Sequence, residues 1–241
     1  MEASRKIYDL GVRNNEPLYW RNFDIFPMVR IFTIGDGSCL LHAVANSFYI
    51  PYRTESFNGV GIRRSELIRD LRKELSTKLS LPSDPLYPNG PLNYDLLAGG
   101  VLSTMLGKEN PEEFGLKAMM ERLADPSKEI TFEYMEFISN QLNKDIYFLD
   151  SKSQDVYLTE IDDSYLYKGR ESVVLLYIEG ITIGGITGMG HFELIGLRTN
   201  EGIATYFRPD HEFISYIQNR IRIKTTSKKS ASDPNIRDIT L

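Results

Sequence analysis

An α/β fold is the class this sequence predicts, and three patterns predict it. Ile62 to Leu79 carries Leu67, Ile68, Leu71, Leu75 and Leu79 at helical spacing, an amphipathic helix. Phe132 to Asn143 reads as a second helix, followed directly by the apolar, β-rich run Asp145–Asp150. Ser172 to Ile178 is an apolar strand, and His191 to Leu197 follows it with alternating character. The 241 residues suffice for one sizeable core, so a single domain with extensions is expected: an N-terminal extension over 1–22, a folded unit over 23–223 and a disordered tail over 224–241.

In chain order, residues 1–22 read as a polar extension. Gly35-Asp36-Gly37-Ser38 is a tight turn, and an apolar helical pattern starts at Cys39. The 62–79 helix adds a Glu74–Lys78 pair on its exposed face. Residues 80–112 are broken by Pro82, Pro85, Pro88, Pro91 and Pro111, leaving a short helical piece near Tyr94 to Leu106. Val156 to Ile161 alternates as a half-buried strand suited to pairing with the Ile146 strand. Gly184 to Gly190 is glycine-rich, which lets backbone pass close to a ligand or partner chain. Ile203 to Phe207 reads as a short strand and Asp210 to Ile223 as a helix. From Lys224 on, Lys, Thr and Ser dominate with almost no core residues, the composition of a disordered tail.

Chemistry concentrates at two points. Cys39 is the one cysteine in the chain, and it opens a helix after a glycine turn. Unpaired N–H groups and the helix dipole at such a start favour thiolate over thiol, and the same N–H groups suit an oxyanion. The alternative is a buried cysteine packing as a small hydrophobe, with Asp36 or Ser38 as an ordinary N-cap. A nucleophilic thiolate needs a base, and the chain has three histidines, His42, His191 and His211. Alternation puts His191 and Glu193 on one strand face, where a carboxylate can fix the imidazole tautomer and stabilise the imidazolium. The competing reading is a polar strand face with two solvated side chains. His42 shares a helix face with Cys39 and reads as a packing or hydrogen-bonding residue. His211 reads as a solvated first-turn residue.

These residues resemble the ovarian-tumour (OTU) family of cysteine deubiquitinases. Asp36-Gly37-Ser38-Cys39-Leu40-Leu41-His42-Ala43 is similar to the family's cysteine box, and Gly190-His191-Phe192-Glu193 to its histidine box. The helix-then-strand order between the boxes also fits, and the resemblance spans roughly residues 30 to 200. It implies a papain-like OTU fold, a small central β-sheet flanked by helices. It implies Cys39 as nucleophile and His191 as base, with Glu193 or Asp36 orienting the base. Backbone N–H groups of Gly37, Ser38 and Cys39 would form the oxyanion hole. Glu193 stands where the family usually has Asp or Asn, one methylene shorter. The 80–112 arm would contact ubiquitin; by size alone, the glycines at 184–190 suit one wall of a narrow channel for its Gly-Gly tail.

The implied activity is hydrolysis of isopeptide bonds at the ubiquitin C-terminus, with ubiquitin or polyubiquitin as partner. Two alternatives stay open: the same chemistry on a ubiquitin-like modifier, and a ubiquitin-binding module without chemistry. A net charge of −5 argues against nonspecific nucleic-acid binding. One cysteine and three scattered histidines give no zinc spacing, and no phosphate-binding glycine motif follows a strand, so neither a metal nor a cofactor is expected. The N-terminal residues lack a secretory signal pattern and no apolar run is long enough to span a membrane. A single cysteine suits a reducing compartment. A cytoplasmic monomer is the resulting expectation.

Overall fold

The computed structural model describes residues 15–158, 167–180, 182–183, 186–187 and 190–232. The strands are β1 (Glu16–Pro17), β2 (Met28–Ile31), β3 (Ser56–Phe57), β4 (Val60–Gly61), β5 (Asp145–Asp150), β6 (Asp155–Val156), β7 (Ser172–Ile178), β8 (Thr182–Ile183), β9 (Ile186–Thr187), β10 (His191–Thr199) and β11 (Gly202–Ala204). The helices are α1 (Cys39–Phe48), α2 (Ile50–Thr54), α3 (Arg64–Leu79), α4 (Gly107–Glu109), α5 (Pro111–Phe114), α6 (Leu116–Ala124), α7 (Met135–Leu142) and α8 (Glu212–Ser232). The central sheet has the order β1-β2-β10-β7-β5-β6, with β11 also on β10. Only β5 and β7 run parallel among its described pairs; the rest are antiparallel.

Strand alternation divides the core between the two sheet faces. Ile146 and Phe148, Val173 and Leu175, and Phe192 and Leu194 pack with α1, α3 and α7 through Leu41, Val44, Leu75 and Ile138. Tyr147 and Leu149, Val174 and Leu176, and Ile195 and Leu197 pack on the other side with Trp20, Phe23 and Met28, closed by Phe213, Ile214 and Ile217 of α8. The sheet is thus flanked by helices, the α/β arrangement expected from the sequence. β10 lies inside the sheet, so both its neighbours fix its register: Leu194 opposite Ile31 on one side and Leu175 on the other.

Local chemistry explains where the helices stop. Tyr49 leaves α1 in an extended conformation and Pro51 sits in the first turn of α2, where its missing N–H costs nothing. Asn143 ends α7 at φ 51°, a left-handed C-cap that turns the chain into β5.

Four boundaries differ from the sequence reading. Residues 16–20, part of the expected polar extension, join the fold: Glu16 and Pro17 pair with β2, and Trp20 is buried. The helical piece near Tyr94 is broken at Leu97–Gly99, because Ala98 and Gly99 adopt positive φ. The strand expected over 203–207 shortens to β11, with Phe207 bridging separately to Ser172. Helix α8 runs on through Lys224 to Ser232. Lys224 is held there because its Nζ donates to the Val156 carbonyl at 2.9 Å and lies 3.3 Å from Asp155. Residues 1–14, 159–161 of the 156–161 strand, 184–185 and 188–189 of the glycine-rich approach, and 233–241 of the tail lie outside the described residues.

Candidate active site

Cys39 is the first residue of α1 and is 3% exposed. No side chain caps this helix start, so its polarity is directed at whatever faces the thiol. The backbone N–H of Phe192 in β10 points at Cys39 Sγ at 3.4 Å, which ties the helix start to the sheet. Thr33, just past β2, donates its hydroxyl to the Phe192 carbonyl at 2.5 Å. The two contacts hold the first turn of β10 against the nucleophile.

His191 begins β10, and Glu193 follows on the same face as alternation requires. His191 Nε2 lies 3.4 Å from Glu193 Oε1. The ring also bonds the Cys39 thiol. The hydrogen bond to Cys39, followed by the one to Glu193, outweighs burial and raises His191 to a pKa of about 9. Burial alone would push Glu193 up, but the bonds from His191 and Arg30 prevail and hold it below the usual carboxylate range. Glu193 is 2% exposed, so the solvated-face alternative is excluded.

Asp36 faces a different partner. Its Oδ1 accepts the Ser38 N–H at 2.8 Å and its Oδ2 lies 3.3 Å from His42 Nε2. The other His42 nitrogen meets the Tyr52 hydroxyl at 2.7 Å, and the ring is fully buried. Burial opposes ionisation of Asp36, yet the His42 bond leads the contacts that lower its pKa overall. Asp36 therefore shapes the turn through His42, and the carboxylate on His191 belongs to Glu193. Of the three N–H groups expected to form an oxyanion hole, Ser38's is taken by Asp36 Oδ1. Cys39's makes a long 3.2 Å bond to the Asp36 carbonyl. Gly37 needs its missing side chain, since a Cβ there would sit 2.6 Å from the Lys128 carbonyl. His211 is exposed, and its Nδ1 accepts the Phe213 N–H at 3.2 Å at the start of α8.

Two arginines complete the surroundings, and neither was singled out from sequence. Arg72 lies on the apolar stripe of α3 and is fully buried. Its Nη1 donates to the Gly37 carbonyl at 2.8 Å and to Ser38 Oγ at 3.0 Å. Its other nitrogens serve the carbonyls of Leu123, Arg122 and Lys128. One guanidinium thus ties the cysteine turn to the end of α6 and the loop after it. The only sequence signal was a charge interrupting Ile68 and Leu75 on one stripe. We expect Arg72→Met to destabilise the fold by about 3 kcal/mol, because several buried acceptors lose a charged donor together. Urea unfolding would measure it, and a change under about 0.5 kcal/mol would contradict this role. Arg30, on β2, donates through Nε to Glu193 Oε2 and through Nη2 to Oε1 at 3.1 Å.

Among the described residues, no group of three His, Cys, Asp or Glu side chains could hold a metal ion, and no helix is long and apolar enough to cross a membrane. What the site assembles is a thiol, an imidazole and a carboxylate in sequence, at a helix start. That arrangement can perform nucleophilic acyl transfer.

No family model matches the chain, and no curated protein matches it. Among solved structures, it is similar to an ovarian tumour (OTU) domain in complex with ubiquitin, at 13% identity and TM-score 0.48, covering 91% of this chain and 95% of that one. It is similar to the OTUD1 OTU domain at 18% identity and TM-score 0.37, covering 80% and 93%. It is also similar to the viral OTU domain protease from Farallon virus, at 16% identity and TM-score 0.38, covering 73% and 87%. All three are OTU domains, the family whose two boxes this sequence resembles.

Proposed function

We propose that this chain is a cysteine deubiquitinase of OTU type. The observation that carries the reading is the juxtaposition of Cys39, His191 and Glu193, supplied by the two segments that resemble the family's boxes. Cys39, as thiolate beside the His191 imidazolium, attacks the carbonyl carbon of the isopeptide bond between ubiquitin's C-terminal glycine and a lysine. The tetrahedral oxyanion is met by N–H groups of the 37–39 turn, among them Cys39's, which is held only by a long bond to the Asp36 carbonyl. As the C–N bond breaks, His191 gives its proton to the departing lysine amine and the thioester remains. His191 then takes a proton from water, the resulting hydroxide adds to the thioester, and expulsion of the thiolate releases ubiquitin with a free carboxylate. Glu193 stays ionised and holds the ring throughout. A monomer in a reducing, cytoplasmic compartment suffices for this chemistry, since one chain supplies every group and the thiol must stay reduced.

The test is reaction of the full chain with ubiquitin carrying a C-terminal electrophile, followed by mass mapping of the adduct. We expect one adduct, on Cys39. Reaction with a ubiquitin-like probe in place of ubiquitin would reassign the substrate, and ubiquitin binding without an adduct would favour a non-catalytic module. Failure of every probe, while iodoacetamide still alkylates Cys39, would overturn the deubiquitinase reading.

A further inference from the structure

We infer that Arg30 is a positioning residue for the candidate catalytic site, clamping Glu193 so that its longer arm presents one fixed oxygen to His191. The inference deepens the cysteine-hydrolase reading and rests on it. Glutamate has one more rotatable bond than aspartate, so an unrestrained Glu193 would spread its carboxylate over several positions relative to the ring. Arg30 removes that freedom. Its Nε meets Oε2 and its Nη2 meets Oε1, the two-pronged arrangement that fixes a carboxylate in plane as well as in position. Oε1 is also the oxygen that faces His191 Nε2, so one carboxylate oxygen is shared between guanidinium and imidazole.

The sheet explains how partners 163 residues apart in sequence come together. Arg30 is the Cα partner of Ile195, and Ile195 lies two residues along the same strand face from Glu193. Arg30 is itself restrained. Glu16 of β1 lies 3.6 Å from its Nη1, and its guanidinium sits over the Phe32 ring at 4.5 Å. Glu16 and Glu193 are the charged groups packed against it from the two flanking strands. Arg30 touches neither sulfur nor ring, so it acts through Glu193. Its side chain keeps 27% exposure, so a shorter polar residue can stand there without emptying the core.

The test is a double-variant cycle on the full chain with two readouts. One is cleavage of a ubiquitin substrate; the other is alkylation of Cys39 by iodoacetamide across pH, which needs no ubiquitin and has no other cysteine to confuse it. We expect Arg30→Gln to lower kcat about tenfold with KM within about twofold. We expect the acid limb of Cys39 alkylation to move to higher pH, as a less well-held imidazolium supports the thiolate less. Glu193→Gln should do the same, and the double variant should be no worse than Glu193→Gln alone. Arg30→Lys should recover only part of the loss, because a single ammonium cannot grip both oxygens. Additive losses, full recovery by lysine, or an alkylation limb moving to lower pH would overturn the clamp. If no ubiquitin probe reacts yet the alkylation limbs couple as expected, the deubiquitinase reading fails and the clamp stands.

Discussion

If the proposed function holds, Cys39→Ala is expected to abolish cleavage of di-ubiquitin, by at least about 10⁴-fold, and to leave ubiquitin affinity within a few-fold of wild type. The size of the loss follows from the proposed role: no other thiol exists in the chain. Folding should survive, because alanine opens α1 at least as well as cysteine and only one sulfur is removed from a packed position. The thiol's backbone contact, from the Phe192 N–H at 3.4 Å, is weak, and its other partner is the His191 ring. Di-ubiquitin cleavage followed by gel, with affinity measured by calorimetry, separates the outcomes. An alanine variant that cleaves at a rate near wild type would sink the cysteine-protease mechanism.

His191→Ala should cost nearly as much, since nucleophile and base act as a unit and their losses do not add. His211→Ala is the control: it is exposed and distant from the thiol in the chain, and should retain most activity. His42→Ala should instead reduce stability, as it strips two buried or half-buried partners, Tyr52 and Asp36. The pH dependence carries the same signature. His191 titrates at about 9, above its ordinary 6.5, because Cys39 and Glu193 favour the charged ring. Its proton is therefore in place at neutral pH, and cleavage should fall as pH rises through about 9, when the leaving amine loses its proton donor. A raised pKa also means that the folded state binds this proton more tightly. The stability it contributes is full below about 6.5 and is lost as pH rises through about 9. The melting-temperature gap between wild type and His191→Ala should narrow over that window. A gap that widens with pH would show that the ring is held neutral.

Sequence made the candidate reacting groups legible because each announces itself locally. A glycine turn before the sole cysteine, and a histidine two residues from a carboxylate on a strand, need no knowledge of the rest of the chain. Apolar runs likewise marked β5 and β7, and alternation marked β10; their faces are buried in two layers. What holds the reacting groups is not local. Arg30 reaches Glu193 across the sheet, and Arg72 reaches the cysteine turn from another helix. An arginine on a strand or in a helical stripe looks like any solvated charge until tertiary structure brings its acceptors. The tail misled for a related reason: composition called for disorder after Ile223, while an ionic anchor on Asp155 carries α8 onward. The extension misled through Trp20, one large side chain whose burial fixes a polar stretch.

The place of β10 in the sheet has a consequence for how the protein is made. It is among the last strands to be synthesised, yet it lies between β2 and β7, and it brings His191 and the Phe192 N–H to a cysteine 153 residues earlier. On the ribosome, the chain up to β7 carries the thiol and most of the core residues with no base beside it. It also carries two open strand edges where β10 will later insert. Under the proposed function, hydrolytic power would arrive abruptly, with one late strand; a truncated product stopping before residue 191 should be inert towards isopeptide bonds, and its bare edges should favour aggregation.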